Sequence, residues 1–211
     1  MACGLIKYFE SIFHLFFKVI EMERKTEYDV EQIFVDRWSP RAMSGEAIDD
    51  ADLMSLFGAA RWAPSAYNAQ PWRFIYAKKQ SAVWDTFFDL LAEMNQLWAK
   101  NASVLVVIVS RTDFEHDGKP NPTHSFDTGS AWENLALQGS AMGLVVHGMA
   151  GFDYAKAAKD LGVPDGYKIE AMIAIGKPGD KSQLPEKMRA IESPSDRKKV
   201  SEFVFEGRFR S

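Results

Sequence analysis

The chain has 211 residues, 46% of them hydrophobic and 26% charged, which favours one domain with a sizeable core and argues against global disorder. The formal net charge of −4 gives nucleic acid no electrostatic footing as a partner. The single cysteine, Cys3, excludes an internal disulfide and fits a reducing, cytoplasmic setting.

Residues 5–22 are rich in Phe, Ile and Leu. Lys7, Glu10, Ser11, His14, Lys18 and Glu21 recur there every three or four positions, which predicts an amphipathic helix. Charge interrupts the run, so it is neither an 18-residue apolar span nor the apolar core of a signal peptide. Three roles stay open for this extension of residues 1–26. Packing on the body or on a partner subunit is the favoured one, membrane association is open but not favoured, and an extension without fixed order is the third. The folded domain then covers 27–211.

The spacing predicts a short helix over 28–36, with Val30, Ile33 and Phe34 on one side, and a loop at 37–44 broken by Pro40. Residues 45–62 read as a second helix. Ile48, Leu53, Leu56, Phe57 and Ala60 recur at helical spacing, acids cluster near its start, and Pro64 stops it. A loop at 63–71 leads into a strand at 72–77. Residues 81–100 carry a long helical pattern. The Val, Leu and Ile run at 104–110 is the clearest strand, of the kind covered on both faces. Residues 111–126, with Gly118, Pro120 and Pro122, are expected to be a structureless lid or substrate loop. Asp127 or Thr128 should cap a helix running through Met142. Its small residues Ala131, Ala136, Gly139, Ser140 and Ala141 predict close approach of another backbone. A strand at 145–147, a helix at 154–161 and a buried strand at 169–175 follow. The tail is basic at Arg197, Lys198 and Lys199, then alternates Phe203, Phe205 and Phe209 with polar residues. That pattern predicts an extended arm pairing with a partner's sheet edge. Helices and strands without regular βαβ alternation give an α+β class, with a four- to five-stranded sheet between helices.

Three segments carry groups suited to binding chemistry. Arg37, Trp38, Ser39, Pro40 and Arg41 place two guanidinium forks around a hydroxyl, a pattern that matches phosphate oxygens. Surface salt bridging is the plain alternative. In 63–72, Ser65, Asn68 and Gln70 between Pro64 and Pro71 supply donors and acceptors suited to a heteroaromatic ring edge. A capped turn with a core Trp72 explains the residues equally well. The run 143–151 holds three glycines, Gly143, Gly148 and Gly151, around His147, Met149 and Ala150. They allow close approach of a flat ligand, and His147 reads as a packed, satisfied histidine. There is no CxxC, HExxH, GxSxG or Walker-type loop, so zinc and serine-hydrolase chemistry have no support. An anion clamp and a ring-reading loop without their own nucleophile point to a cofactor that brings the reaction.

In this order and spacing the segments resemble the nitroreductase family of FMN enzymes. The resemblance runs from about Tyr28 to the C-terminus. It rests on Arg37, Ser39 and Arg41; on Ala63, Pro64, Ser65, Asn68, Gln70, Pro71 and Trp72; on the helix from Asp127 to Gly143; and on Ile175, Gly176, Lys177 and Pro178. It implies a mostly antiparallel sheet, a homodimer and a C-terminal arm exchanged between subunits. Arg37, Ser39 and Arg41, with Trp38 between them, would meet the FMN phosphate and pyrimidine edge. Pro64, Ser65, Asn68 and Gln70 would come from the opposite subunit. Gly148, Met149 and Ala150 would border the flavin, and Arg197 would complete the phosphate site. Residues 1–26 have no counterpart in the family, and His147 to Ala150 replace a more usual Trp-containing stretch.

The resemblance implies an FMN-dependent NAD(P)H oxidoreductase acting by ping-pong hydride transfer on a small electron-poor acceptor such as a nitroaromatic or quinone. No metal and no catalytic side chain is expected. Flavin fragmentation, reductive dehalogenation and a non-catalytic flavin module stay open beside it.

Overall fold

The computed structural model describes residues 24–210. The helix expected at 5–22 and Cys3 lie outside them. Among the described residues there are two compact units: residues 31–195 form one, and residues 24–30 with 196–210 the other.

In the larger unit the elements run in chain order. They are α1 (Gln32–Asp36), α2 (Asp50–Ala60), β1 (Trp72–Lys78), α3 (Trp84–Phe88), α4 (Glu93–Ala99), β2 (Val104–Arg111), α5 (His124–Ala141), β3 (Val145–Met149), α6 (Tyr154–Asp160), β4 (Tyr167–Gly176) and α7 (Glu186–Arg189). The strands form a four-stranded antiparallel sheet in the order β1-β2-β4-β3, as an α+β fold requires.

Central β2 is buried over seven of its eight residues. Alternation decides which face each side chain serves. Val104, Val106 and Ile108 join Leu53, Leu56, Ala131, Leu135 and Val146 in one core beneath α2 and α5. Leu105, Val107 and Val109 join Phe87, Leu90, Trp98, Met149 and Met172 in a second core on the other face. The continuous apolar run thus reports cover on both faces, here of an antiparallel strand.

Several expected elements differ. The pattern at 81–100 forms two short helices, because the backbone between them pairs elsewhere. Ala92 N–H donates to the Gly151 carbonyl at 3.0 Å and Asp153 N–H to the Leu90 carbonyl at 2.9 Å. α2 starts at Asp50 rather than near 45, because the Glu46 carbonyl that a longer helix would use accepts from the Ser103 hydroxyl and Asp49 is extended. α1 covers only the last five residues of its predicted range. Residues 111–126 are not structureless. A bridge joins Asp113 to Pro120, and Phe114 N–H donates to the Lys119 carbonyl at 2.8 Å. α5 begins at His124, so Asp127 lies inside the helix rather than capping it. β3 and β4 outrun their predicted ranges.

The smaller unit is held by Val200 N–H donating to Glu27 Oε2 at 2.7 Å and by Lys199 N–H donating to Glu202 Oε1 at 2.8 Å. Its tail makes a 3₁₀ turn at Val200–Glu202. The Phe205 and Phe209 rings meet edge-to-face at 5.4 Å.

Candidate functional site

The loop at 37–42 joins α1 to the body of the larger unit, and three distant side chains hold it. Arg37, 15% exposed in its side chain, places Nε 3.5 Å from Glu133 Oε1 on α5, and its Nη1 donates to Ser39 Oγ at 3.4 Å. His147 on β3 sits with Nδ1 2.9 Å from the Pro40 carbonyl, so the neutral ring donates there. Its ring also lies 4.5 Å from that of Trp98. Burial pushes the His147 pKa below its ordinary value, and the Arg41 charge adds to that. The Pro40 bond and Glu192 pull the other way. At the loop's far end Glu192 Oε1 accepts from Arg41 N–H at 2.5 Å and Ala42 N–H at 2.9 Å, while Oε2 lies 3.3 Å from Arg41 Nη1.

Alternation along the loop sorts its side chains. Trp38, Pro40 and Ala42 line a cavity of about 490 Å³ together with Leu144, Pro178 and Glu192. Arg37, Ser39 and Arg41 do not line it. Trp38 therefore serves the cavity wall, whereas Arg37 meets Ser39 and the Arg41 guanidinium meets Glu192.

Gly148 on β3 meets the same corner. A Cβ there would lie 3.1 Å from Trp132 Cζ2, so the glycine is what lets the indole of α5 lie on the strand. The Trp132 Nε1 donor is buried with no acceptor among the described residues. Met149 turns its side chain into the core, 4% exposed, so it offers main chain alone. Ala150, next to it, is exposed.

The segment at 63–72 is built separately. Tyr67, Asn68 and Gln70 all adopt positive φ, at 52°, 54° and 47°. Three such non-glycine residues within four positions store backbone strain of the kind that persists where the surroundings impose it. Ser65 Oγ accepts from Gln70 N–H at 3.1 Å, Gln70 Nε2 donates to the Asn68 carbonyl at 3.2 Å, and buried Asp127 Oδ2 accepts from Ala66 N–H at 3.1 Å. Asn68 and Pro64 are exposed and Ser65 half-buried. The exposed Tyr67 ring meets Phe114 edge-to-face at 5.7 Å, joining this loop to the turn after β2.

The two segments dock on the same helix α5, through Asp127 and Glu133, but continue into or beside different strands. Residues 63–71 lead into β1, while Gly148 and His147 lie on β3, at the opposite edge of the sheet. Three strand spacings amount to roughly 14 Å. One chain therefore brings Arg37, Ser39, Arg41, His147 and Gly148 to one region. It displays Pro64, Ser65, Asn68 and Gln70 from the other edge. Arg197 belongs to the smaller unit, where its N–H donates to Asp196 Oδ1 at 2.7 Å.

Glu133, Glu192, Trp132 and Asp127 were not legible as site residues. Arg37 and Glu133 are 96 positions apart, and Glu192 lies about 150 from the residues it holds, so no local pattern links them. His147 is packed and satisfied, as its isolation in the sequence suggested. Among the described residues no cluster of His, Cys, Asp and Glu could hold a metal ion, and no helix is long and apolar enough to cross a membrane.

The sequence pattern of the nitroreductase family matches residues 35–177. A solved structure described as an oxidoreductase containing FMN is 48% identical. It covers 89% of this chain and 96% of its own, with a TM-score of 0.86. A nitroreductase-type structure from Desulfovibrio desulfuricans, solved in complex with FMN, is 24% identical over 88% of this chain and 100% of its own. Its TM-score of 0.67 shows the shared fold. A protein of Rhodopseudomonas palustris strain TIE-1, provisionally named NADH dehydrogenase/NAD(P)H nitroreductase, is 28% identical over 74% of this chain and 87% of its own length.

Proposed function

The chain belongs to the nitroreductase family, and from that premise we propose that it is an FMN-dependent NAD(P)H oxidoreductase reducing nitroaromatic, quinone or similar electron-poor acceptors by a ping-pong route. The observation that carries this reading is the loop at 37–42, held at three points and carrying two half-buried guanidinium groups and a hydroxyl within six residues.

The residues present fit the cofactor. Arg37 and Arg41 are half-buried cations, the Ser39 hydroxyl lies between them, and the buried Trp132 N–H beside Gly148 has no acceptor among the described residues. Charge-assisted donors of this kind suit a phosphate or a pyrimidine edge. FMN supplies hydride chemistry at its ring, taking a hydride from NAD(P)H and delivering it to the acceptor in alternate half-reactions. Arg37, Ser39 and Arg41 bind its anionic and carbonyl oxygens, and a guanidinium held there favours negative charge on the bound ring. Gly148, the Met149 main chain and Ala150 border the ring. Trp38 supports the loop from its cavity side.

On this reading Pro64, Ser65, Asn68 and Gln70 serve the site of a second copy in a homodimer, which the position of 63–71 before β1, at the sheet edge opposite β3, supports. The folded domain is 27–211, with 1–26 an added extension, and the protein works in the cytoplasm. Arg197, on the C-terminal arm exchanged between copies, completes the phosphate site.

The test is anaerobic reduction of the purified protein. Bound FMN with its visible absorbance is expected, bleached by NADH or NADPH and restored by a quinone or nitroaromatic. Protein that takes up FMN and is bleached by neither nicotinamide refutes the reductase reading.

A further inference from the structure

We infer that Glu192 is a positioning residue for the cofactor loop, with one carboxylate oxygen fixing the main chain and the other aiming the Arg41 guanidinium. The inference rests on the reading of 37–41 as the loop that holds FMN. Glu192 lies beyond residue 177, where the family match ends, so it is a feature of this chain outside that pattern.

Its side chain is 3% exposed. A carboxylate buried to this degree is costly unless donors satisfy it. Three donors do so, all from two adjacent residues. Oε1 takes both main-chain donors, Arg41 N–H at 2.5 Å and Ala42 N–H at 2.9 Å, and Oε2 faces Arg41 Nη1 at 3.3 Å. The carboxylate is itself carried on a seated element. Leu184 and Met188 sit in the core, and Glu192 follows Met188 by four residues just past α7. His147 holds the Pro40 carbonyl immediately before. The main chain is thus gripped at positions 40, 41 and 42, around the residue that presents the guanidinium.

The division between the two oxygens separates the variants. Glu192→Gln keeps an Oε1 that accepts both main-chain donors, but turns an NH₂ toward the guanidinium, so it releases only the Arg41 side chain. Glu192→Ala releases the main chain as well. The experiment titrates apo protein with FMN by flavin fluorescence and follows hydrogen exchange of peptides covering 37–43 without FMN. FMN affinity should fall about tenfold in Glu192→Gln, the effect of losing one charge-assisted contact, and further in Glu192→Ala. Exchange at 41 and 42 should quicken in Glu192→Ala and stay at the wild-type rate in Glu192→Gln. Glu192→Gln binding FMN as tightly as wild type, or more tightly, overturns the inference, because the carboxylate would then not aim Arg41 or would oppose the cofactor. Wild-type protein that takes up no FMN refutes the cofactor reading instead; the grip on the main chain is then judged by exchange alone and fails if Glu192→Ala leaves it unchanged. Should Glu192→Ala not fold, Glu192→Gln decides on both readouts.

Discussion

Arg41 has its guanidinium 3.3 Å from a buried carboxylate and is itself half-buried. Its orientation is therefore set before any ligand arrives, which reduces the ordering cost of binding. Arg41→Ala should weaken FMN binding by about 1.5–3 kcal/mol, the usual scale for a hydrogen bond to a charged group, as read by fluorescence titration of the apo protein. Unchanged affinity would count against its place in the phosphate site. His147 gives a pH signature in the same region. Its pKa is depressed by burial below the ordinary 6.5, so the folded protein keeps the ring neutral while the unfolded chain takes up a proton as pH falls through about 6.5. The stability conferred by the neutral ring is therefore complete above that pH and is lost progressively down to the lowered folded value. His147→Gln can still donate to the Pro40 carbonyl yet has no proton to take up. Its melting temperature should fall less steeply between pH 7 and 5 than that of the wild type. Parallel melting curves for the two proteins would sink this account.

At the scale of elements, α5 shows how one signal can be read two ways. Its small residues were expected to admit another backbone, and in the fold that backbone is the chain's own β3. A Cβ at Gly139 would lie 2.4 Å from Val146 Cγ2, while Ala131 and Ala136 are buried in the chain's own core. The helix thus gives no independent argument for a dimer. Gly139→Ala gains helix propensity, but Val146 is branched at Cβ and its methyl cannot swing clear. A net loss of about 1–3 kcal/mol is expected from overpacking. Adding Val146→Ala should recover part of it in a double-mutant cycle measured by denaturant unfolding. Additive losses would mean that the two residues do not meet. The break between α3 and α4 carries a related lesson. Helical spacing was present throughout 81–100, but Leu90 and Ala92 bond to 151–153, and tertiary pairing overrides periodicity wherever it satisfies the same backbone groups.

For the whole molecule, the proposed site is one shared between two copies. β1 and β3 are opposite edges, which supports the proposal that the Pro64–Gln70 face and the Arg37–Gly148 corner work together when two copies meet. Sedimentation of the holoprotein should give about twice the 23.8 kDa chain mass. A holoprotein that sediments as one chain would remove the shared-site reading. Ligand linkage adds a second expectation. FMN at 100 times its Kd should stabilise the folded state by about 2.7 kcal/mol, so stripping it should lower the melting temperature and adding it back should restore it. No shift on re-addition would mean that the cofactor does not bind the folded state.

Much was legible without coordinates because it is local. The buried run at 104–110, the helix stop at Pro64 and the spacing of Arg37, Ser39 and Arg41 depend on neighbours in the chain, as does the 63–72 motif that carries the family resemblance. Those features determined the α+β class and pointed to a flavin. Tertiary structure alone decided the partners of those residues. It paired Arg37 with Glu133, hung Pro40 on His147 and set Glu192 beneath Arg41. It also buried the Met149 side chain that sequence had offered to the ligand. The reason is physical: a buried charge or carbonyl must find its partner in space, and contacts that close over about 100 to 150 residues leave no periodic trace along the chain.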